Sequence, residues 1–198
     1  LARPGGNTTG LALLASELNT KRLQLIKEVL PKASRVAMLR NPDNPSHAAI
    51  MSAVELAAPS LGLTLRAFEA RGAENLESSF EAMKAWQADG AVVLEDTAFV
   101  SNRAAIATQA QAKRLPLVCG IRELTQAGGC LFSYATNIAD MYYRAATYVD
   151  KILKGAKPGD LPVQQPVKFE LVFNLQLAKT LGVEISPTLL ARADEVIE

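Results

Sequence analysis

The chain has 198 residues, a net charge of +1, and 49% hydrophobic residues, which allows one large or two small domains with a sizeable core. The near-neutral charge, with lysine and arginine spread along the chain, argues against a nucleic-acid partner. No stretch approaches the ~20 apolar residues that a membrane span needs.

After a glycine-rich opening, LARPGGNTTG, the predicted elements alternate between helix and strand. Unbroken apolar runs predict buried parallel strands, and apolar residues at helical spacing predict the helices between them. In chain order the predictions are a helix from residue 19 or 20 to about 30, a strand at 35–39, a helix from 45, a strand at 63–70, a helix from 75, a strand at 90–95, a helix at about 101–113, a strand at 115–119, a short helix at about 121–127, a strand at 130–135, a helix at 138–154, a strand at 167–174, and helices at 175–181 and 187–196. This alternation predicts an α/β fold with a doubly wound parallel sheet.

The helix at 138–154 has the clearest predicted ends. Asn137 is placed as its N-cap, Asp140 stands at the third helical position, and Gly155 follows the last apolar residue. The next stretch, GAKPGDLPVQQP, is rich in proline and predicts an extended linker.

Polar loops follow several predicted strands, and in an open α/β sheet ligands bind at that edge. The helix starts that point toward such an edge favour an anionic group such as a carboxylate. We therefore expect a site for a small polar metabolite there, although each of these residues could also be a simple turn or cap residue. The loops are Asn41–Asn44, Asp96–Phe99, Gly120–Arg122 and Thr136–Asp140.

Sequence motifs of nucleotide-binding proteins, hydrolases and zinc proteases are missing, and His47 is the only histidine. We therefore expect no catalytic residue, no metal site and no cofactor. Cys119 and Cys130 fit neither a zinc knuckle nor a redox pair. They are interpreted as small buried residues, with a disulfide as the alternative in an oxidising compartment.

The whole chain resembles the ABC transporter substrate-binding proteins of the uncharacterised transport-system type. The segments that carry the resemblance are ARPGGNTTG, ELNTKRLQLIKEVLP, RVAMLRNPDNP, YRAATYVDKILKGAKPGDLPVQQPVKFELVFNLQLAKTLG and LLARADEVIE. The resemblance implies a type I periplasmic binding protein that closes around a small molecule and delivers it to an ABC permease in the membrane. It implies a periplasmic or extracytoplasmic location, and some family members bind aromatic amino acids.

Carried over by position, the resemblance implies a ligand-binding wall at the strand ends. Asp96 is expected to accept a hydrogen bond from a ligand amine, and the segment from Asn44 to Ser46 to hold a carboxylate. Phe99 or Tyr134 is expected to stack on an apolar ligand group. The complete expected set is Asn41, Asn44, Ser46, Asp96, Thr97, Phe99, Tyr134, Thr136 and Asn137.

The resemblance further implies that residues 1–136 form the second lobe of a two-lobed protein, entered through a hinge at 1–10. Residues 137–198 would supply the crossover helix, linker and terminal segments that return toward a first lobe. In a chain that lacks that lobe, we expect a dimer or an exchange of the crossover helix between chains as an alternative. Two other functions stay open: an effector-binding domain of a transcription regulator, and a two-lobed racemase-like enzyme that uses paired cysteines.

Overall fold

The computed structural model describes residues 4–198, whose contacts divide the chain into two units. The larger unit, Ala15–Ala135 with Glu170–Glu198, holds almost all of the sheet. The smaller unit consists of residues 4–14 with Thr136–Phe169. The first three residues of the expected hinge at 1–10 lie outside the described part of the chain. None of the helices in residues 4–198 combines the length and apolar character needed to cross a lipid bilayer.

Within the described residues the sheet has seven strands in the order β2-β1-β3-β4-β5-β6-β7. Strands β1 to β5 pair in parallel, with Val36 beside Gly90 and Val118 beside Phe132. Their bounds are β1 (Arg35–Arg40), β2 (Thr64–Glu69), β3 (Gly90–Val93), β4 (Leu117–Cys119), β5 (Phe132–Thr136), β6 (Phe169–Asn174) and β7 (Glu195–Ile197). The predicted α/β sheet is therefore confirmed for its main, parallel part.

The last two strands run against the other five. The Asn174 N–H donates to the Leu131 carbonyl, and the Asn137 N–H donates to the Lys168 carbonyl. Because the residue numbers of these partners change in opposite directions, β6 is antiparallel to β5. Strand β7 is parallel to β6, so the sheet is mostly rather than fully parallel.

Helices of the larger unit cover both faces of the sheet. They are α1 (Ala15–Val29), α2 (Ser46–Ala57), α3 (Ala73–Ala85), α4 (Thr97–Ser101), α5 (Arg103–Lys113), α6 (Arg122–Gln126), α8 (Leu175–Leu181) and α9 (Pro187–Leu190). The remaining helix, α7 (Ile138–Leu153), belongs to the smaller unit. Alternate residues of a strand face opposite sides, so Val36 packs with α1, α2 and α8, whereas Leu39 packs with α3 and α5. Both residues are fully buried, which is why the strand is apolar without alternation.

Three predicted segments are wrong in their limits or type. The predicted loop at Asp96–Phe99 contains the start of a short helix, α4, at Thr97–Ser101. Helix α1 begins at Ala15, several residues before the predicted start at 19 or 20. The predicted terminal helix at 187–196 is a short helix, α9, followed by β7. The Asp194 carboxylate accepts from the Leu171 N–H, and the Asp194 N–H donates to the Leu171 carbonyl. This pairing with β6 overrides the local helical pattern.

In the smaller unit, α7 begins where the sequence predicts. The Asn137 side chain accepts from the Asp140 N–H at 2.6 Å, and Gly155 has a positive φ of 97° just after the helix. The following linker is held against residues 9–12, since Gln164 exchanges backbone hydrogen bonds with Gly10 and Ala12. Several large apolar side chains of α7 are exposed, namely Ile138, Tyr142, Tyr143, Val149 and Leu153.

A disulfide joins Cys119, the last residue of β4, to Cys130, just before β5. Their Cα atoms are 6.1 Å apart, within the usual range for a disulfide, and both residues are fully buried. The sequence left this pairing open, because it could not show how closely the ends of the two strands approach.

Candidate functional site

The candidate site lies at one edge of the sheet in the larger unit. Strands β1, β3 and β4 end there, together with β5 as far as Ala135, because these strands are parallel and adjacent. We call this edge the carboxyl edge. It is the place where ligands bind in open α/β sheets.

The turns after β1 and β3 are joined by the carboxylate of Asp96. Its Oδ2 accepts hydrogen bonds from the Asn41 side chain at 3.2 Å and from the Asn44 side chain at 2.9 Å. Its Oδ1 accepts from the Ala98 N–H at 2.8 Å and so caps α4. Two loops that are far apart in sequence are therefore fixed to each other by one side chain.

The two asparagines also shape their own loop. Asn41 Oδ1 accepts from the Asp43 N–H, and Asn44 Oδ1 accepts from the Ser46 N–H, each at 3.0 Å. These are Asx turns, which bring the chain from β1 into α2. Both ends of each amide are thus engaged, so Asn41 and Asn44 act as parts of the framework.

His47 is a buried third link between the same two turns. Its Nδ1 accepts from the Asn41 N–H at 3.0 Å, and its Nε2 is 3.1 Å from the Glu95 carbonyl oxygen. We assign the proton to Nε2, because Nδ1 is already an acceptor. His47 is 1% exposed, so its ring is part of the buried framework of the two turns.

The surroundings of Asp96 favour its charged form. Burial acts to raise the pKa of Asp96, but the hydrogen bonds from Asn44, the Ala98 N–H and Asn41 outweigh burial and hold its pKa below 3.8. Asp96 is 8% exposed, and its two oxygens already accept three hydrogen bonds. Its main action here is to hold the loops.

Sequence reasoning missed a second polar cluster on the same edge, which we call the Arg22 cluster: Asn19, Arg22, Glu95 and Gly120, with the Tyr134 carbonyl. Arg22 is fully buried, and its Nη2 donates to Glu95 Oε1 at 2.6 Å. Its Nε donates to the Tyr134 carbonyl at 2.8 Å, which ties the end of β5 to the end of β3. Asn19 Nδ2 donates to Glu95 Oε2 at 3.2 Å.

The Arg22 cluster was missed because its members come from distant positions in the sequence. Asn19 and Arg22 are three residues apart on α1, a spacing that places both on one helix face. That spacing is the only signal the sequence carries, since polar residues on a helix are usually solvated. Only packing of α1 against the sheet shows that these two are fully buried.

The remaining predicted residues fall into three groups. Ser46 and Thr97 are exposed at the starts of α2 and α4. The expectation for Phe99 is corrected, because it is fully buried in the core beneath the sheet and has no surface for a ligand. Tyr134 is partly buried against the opposite core layer.

Thr136 and Asn137 belong to the smaller unit. The Thr136 hydroxyl donates to the Leu13 carbonyl at 3.3 Å, and Asn137 caps α7. Across residues 4–198, His, Cys, Asp and Glu side chains form no group of three or more that is placed to hold a metal ion.

Comparison with known proteins gives a family and a set of similar structures. The sequence model described as "ABC transporter substrate binding protein" matches residues 1–197. A conserved domain protein from Vibrio cholerae has a TM-score of 0.90 and 28% identity, over 98% of this chain and 64% of that one. The ABC domain in complex with L-Trp from Streptococcus pneumoniae has a TM-score of 0.88 and 25% identity, over 100% of this chain and 67% of that one.

A ligand-free, open substrate-binding protein with adhesive properties from Clostridium difficile shares the fold, with a TM-score of 0.73 and 18% identity, over 100% of this chain and 65% of that one. This chain therefore spans about two thirds of the length of these proteins. The comparison with curated proteins gives no match. The family model matches nearly every residue, and the mostly parallel sheet is consistent with that match. The chain therefore belongs to the ABC transporter substrate binding protein family.

Proposed function

We propose that this chain is part of the solute-binding component of an ABC importer, and that it captures an amino acid and passes it to a membrane permease. The family supplies the class of function. The observation that carries the proposal for this chain is the joining of the β1 and β3 turns by Asp96 at the carboxyl edge. That arrangement makes a rigid polar surface where ligands of open α/β sheets bind.

An amino-acid ligand is supported by the similar Streptococcus pneumoniae protein, whose structure contains L-Trp. The polar groups at the carboxyl edge suit an amino acid as well, because hydroxyls and a helix start favour a carboxylate. We propose the exposed Ser46 and Thr97 as such groups, with Asn41, Asn44 and Asp96 holding their loops in place. Tyr134 remains a proposed ligand contact of the larger unit, and Thr136 and Asn137 remain proposed ligand contacts of the smaller unit.

We further propose that the chain acts together with a further lobe. Residues 1–136 would form the second lobe and 137–198 the segments that return toward the first, with the entry hinge at 1–10. The exposed apolar side chains of α7 support this, since such a face is usually covered in a complete protein. The greater length of the similar structures supports it too. The alternative of a dimer or helix exchange has no support in residues 4–198.

An extracytoplasmic location is proposed from the family and from the disulfide. Structural disulfides persist in oxidising compartments such as the periplasm and are rare in the cytosol. The Cys119–Cys130 bond is fully buried, as expected for a structural bond. It also leaves neither sulfur as a free thiol, which favours binding over a racemase-like reaction of paired cysteines.

The test is a ligand screen on the complete protein by thermal unfolding, with the standard L-amino acids, common sugars and nucleosides. A ligand at about 100 times its Kd stabilises the folded state by about 2.7 kcal/mol, which should raise Tm by roughly 5 °C or more. We expect this rise for at least one amino acid, with the ligand recovered unchanged. Stabilisation by a sugar or nucleoside alone would reject the amino-acid proposal, and conversion of the ligand to its enantiomer would reject the assignment as a binding protein.

A further inference from the structure

The side chain of Glu95 occupies a special place on the carboxyl edge. It lies two residues beyond Val93, the last residue of β3, and its neighbour Asp96 is 8% exposed. The Glu95 side chain keeps 22% of its surface exposed. Of these two adjacent carboxylates, Glu95 therefore has the more open face.

From this placement we propose that Glu95 accepts the ammonium group of the ligand, and that Arg22 and Asn19 are positioning residues that aim its carboxylate. The proposal rests on the proposed function, because it names the group that would recognise an amino acid. It also differs from the expectation that Asp96 takes this role.

The two positioning residues hold one oxygen each. Arg22 donates to Oε1 at 2.6 Å, and Asn19 donates to Oε2 at 3.2 Å. A carboxylate has about four lone-pair positions, so both oxygens retain capacity for a further donor. Arg22 itself is fixed by its second bond, to the Tyr134 carbonyl, and by complete burial. The carboxylate is thus held in one orientation before a ligand arrives, which lowers the entropy lost on binding.

Gly120 makes room for this arrangement. A Cβ atom at Gly120 would lie 2.4 Å from the Glu95 carboxyl group and 2.7 Å from Arg22 Nη2. Any other residue would therefore push Glu95 or Arg22 away from its present place. The Glu95 carboxylate consequently lies beside Gly120, the residue that follows the end of β4.

A second observation is that the Arg22 cluster keeps unused hydrogen-bonding capacity. Within residues 4–198, Arg22 Nη1 and Asn19 Oδ1 are buried atoms without a hydrogen-bond partner. Both residues are fully buried, and an unpaired polar atom at such a position is unfavourable because it has lost its hydrogen bonds to water. Ordered water or a ligand group is the usual partner of such atoms. The Asp96 carboxylate, in contrast, accepts three hydrogen bonds from the chain and is 8% exposed.

The experiment measures, in the complete protein, the Kd of an amino acid and of the same molecule without its amino group. The pairs are L-tryptophan with 3-indolepropionate and L-leucine with 4-methylpentanoate. The ratio of the two Kd values isolates the ammonium contact, because any general change in the site affects both partners of a pair. We expect Glu95→Gln to reduce this preference for the amino acid about 10- to 100-fold, the usual size of a lost charged hydrogen bond.

Asp96→Asn is the matched control, since it removes the neighbouring carboxylate. We expect Asp96→Asn to weaken the binding of both molecules of a pair to a similar extent. The ratio of the two Kd values should stay within about threefold of the wild-type ratio. Should Glu95→Gln fold poorly, Glu95→Asp keeps the charge, shortens the side chain and should still lower the ratio. The proposal is overturned if the Kd ratio is unchanged in the Glu95 variants. It is also overturned if Asp96→Asn, rather than the Glu95 variants, removes the preference for the amino acid. Failure of the wild-type protein to bind any amino acid overturns the proposed function itself.

Discussion

Two polar clusters share the carboxyl edge, and they differ in how completely the chain satisfies them. In the Asp96 cluster, which comprises Asn41, Asn44, His47 and Asp96, the carboxylate receives its three hydrogen bonds from side chains and backbone of the chain. In the Arg22 cluster, two fully buried polar atoms are left without a partner within residues 4–198. Asp96 thus belongs to a cluster in which every buried polar atom has a partner, which we call closed. The adjacent Glu95 belongs to a cluster with buried polar atoms that lack a partner in the described part of the chain, which we call open.

A carboxylate near a strand end can hold loops together, as the Asp96 carboxylate does. A closed hydrogen-bond network fixes the shape of the loops and contributes to stability. An open network has remaining hydrogen-bonding capacity that a ligand or water must satisfy. The comparison can be tested by perturbing each cluster separately and measuring the free energy of unfolding.

The largest effect is expected for Arg22→Met, which removes the charge partner of Glu95 inside the Arg22 cluster. We expect the free energy of unfolding to fall by about 3 kcal/mol, because breaking a buried ion pair leaves an uncompensated charge. Urea denaturation measures this change. The double variant Arg22→Met with Glu95→Gln should recover a large part of the loss, because the unpaired charge is gone. If the double variant is as unstable as Arg22→Met, lost packing rather than charge explains the effect.

A smaller effect is expected for Asp96→Ala, which removes the acceptor of three hydrogen bonds in the Asp96 cluster. The expected loss is about 2 kcal/mol in the free energy of unfolding, since Asn41 and Asn44 are partly exposed and can turn to water. Asp43→Ala is the control, because the Asp43 side chain is 65% exposed in its ion pair with Arg71 and should contribute at most ~0.5 kcal/mol. Equal losses in the two variants would show that the Asp96 cluster does not hold the loops.

The smallest effect is a pH dependence of stability that comes from Asp96. Its folded pKa lies below 3.8, its ordinary value, because the hydrogen bonds to the charged form outweigh burial. The stabilisation is therefore fully present above pH 3.8 and is lost as the pH falls through the lower folded pKa. Urea denaturation of wild type and Asp96→Asn at a series of pH values should show their difference shrinking below pH 3.8. A difference that grows in that range would mean that the folded pKa is raised instead.

Much of the fold follows from the sequence alone. The apolar runs at Val36–Leu39 and Gly90–Val93 are buried on both faces, so periodicity and composition were sufficient to place parallel strands there. Asn137 and Asn174 cap α7 and α8 because their side chains act on backbone a few residues away. Such interactions are local, and local signals are the ones a sequence displays directly.

The sequence also predicted that polar loops end several strands, and the structure brings those after β1 and β3 together. It could not show which polar atoms remain unpaired, because that depends on contacts between residues 52 to 112 positions apart. Phe99 illustrates the same limit, since a polar loop and a core position look alike until the helix is placed on the sheet. Strand β7 illustrates the same limit. Its sequence locally favours a helix, and only pairing with β6 makes it a strand.

The sequence by itself therefore determined the class of fold, most of the order of its elements and the family of the protein, since these depend on patterns along the chain. Tertiary structure alone decided that Asp96 is enclosed, that Glu95 is held by a buried arginine, and that Cys119 and Cys130 are joined. The physical reason is the same in each case: burial and hydrogen bonding at the carboxyl edge arise between distant segments, and only packing of α1 and the strands sets their distances.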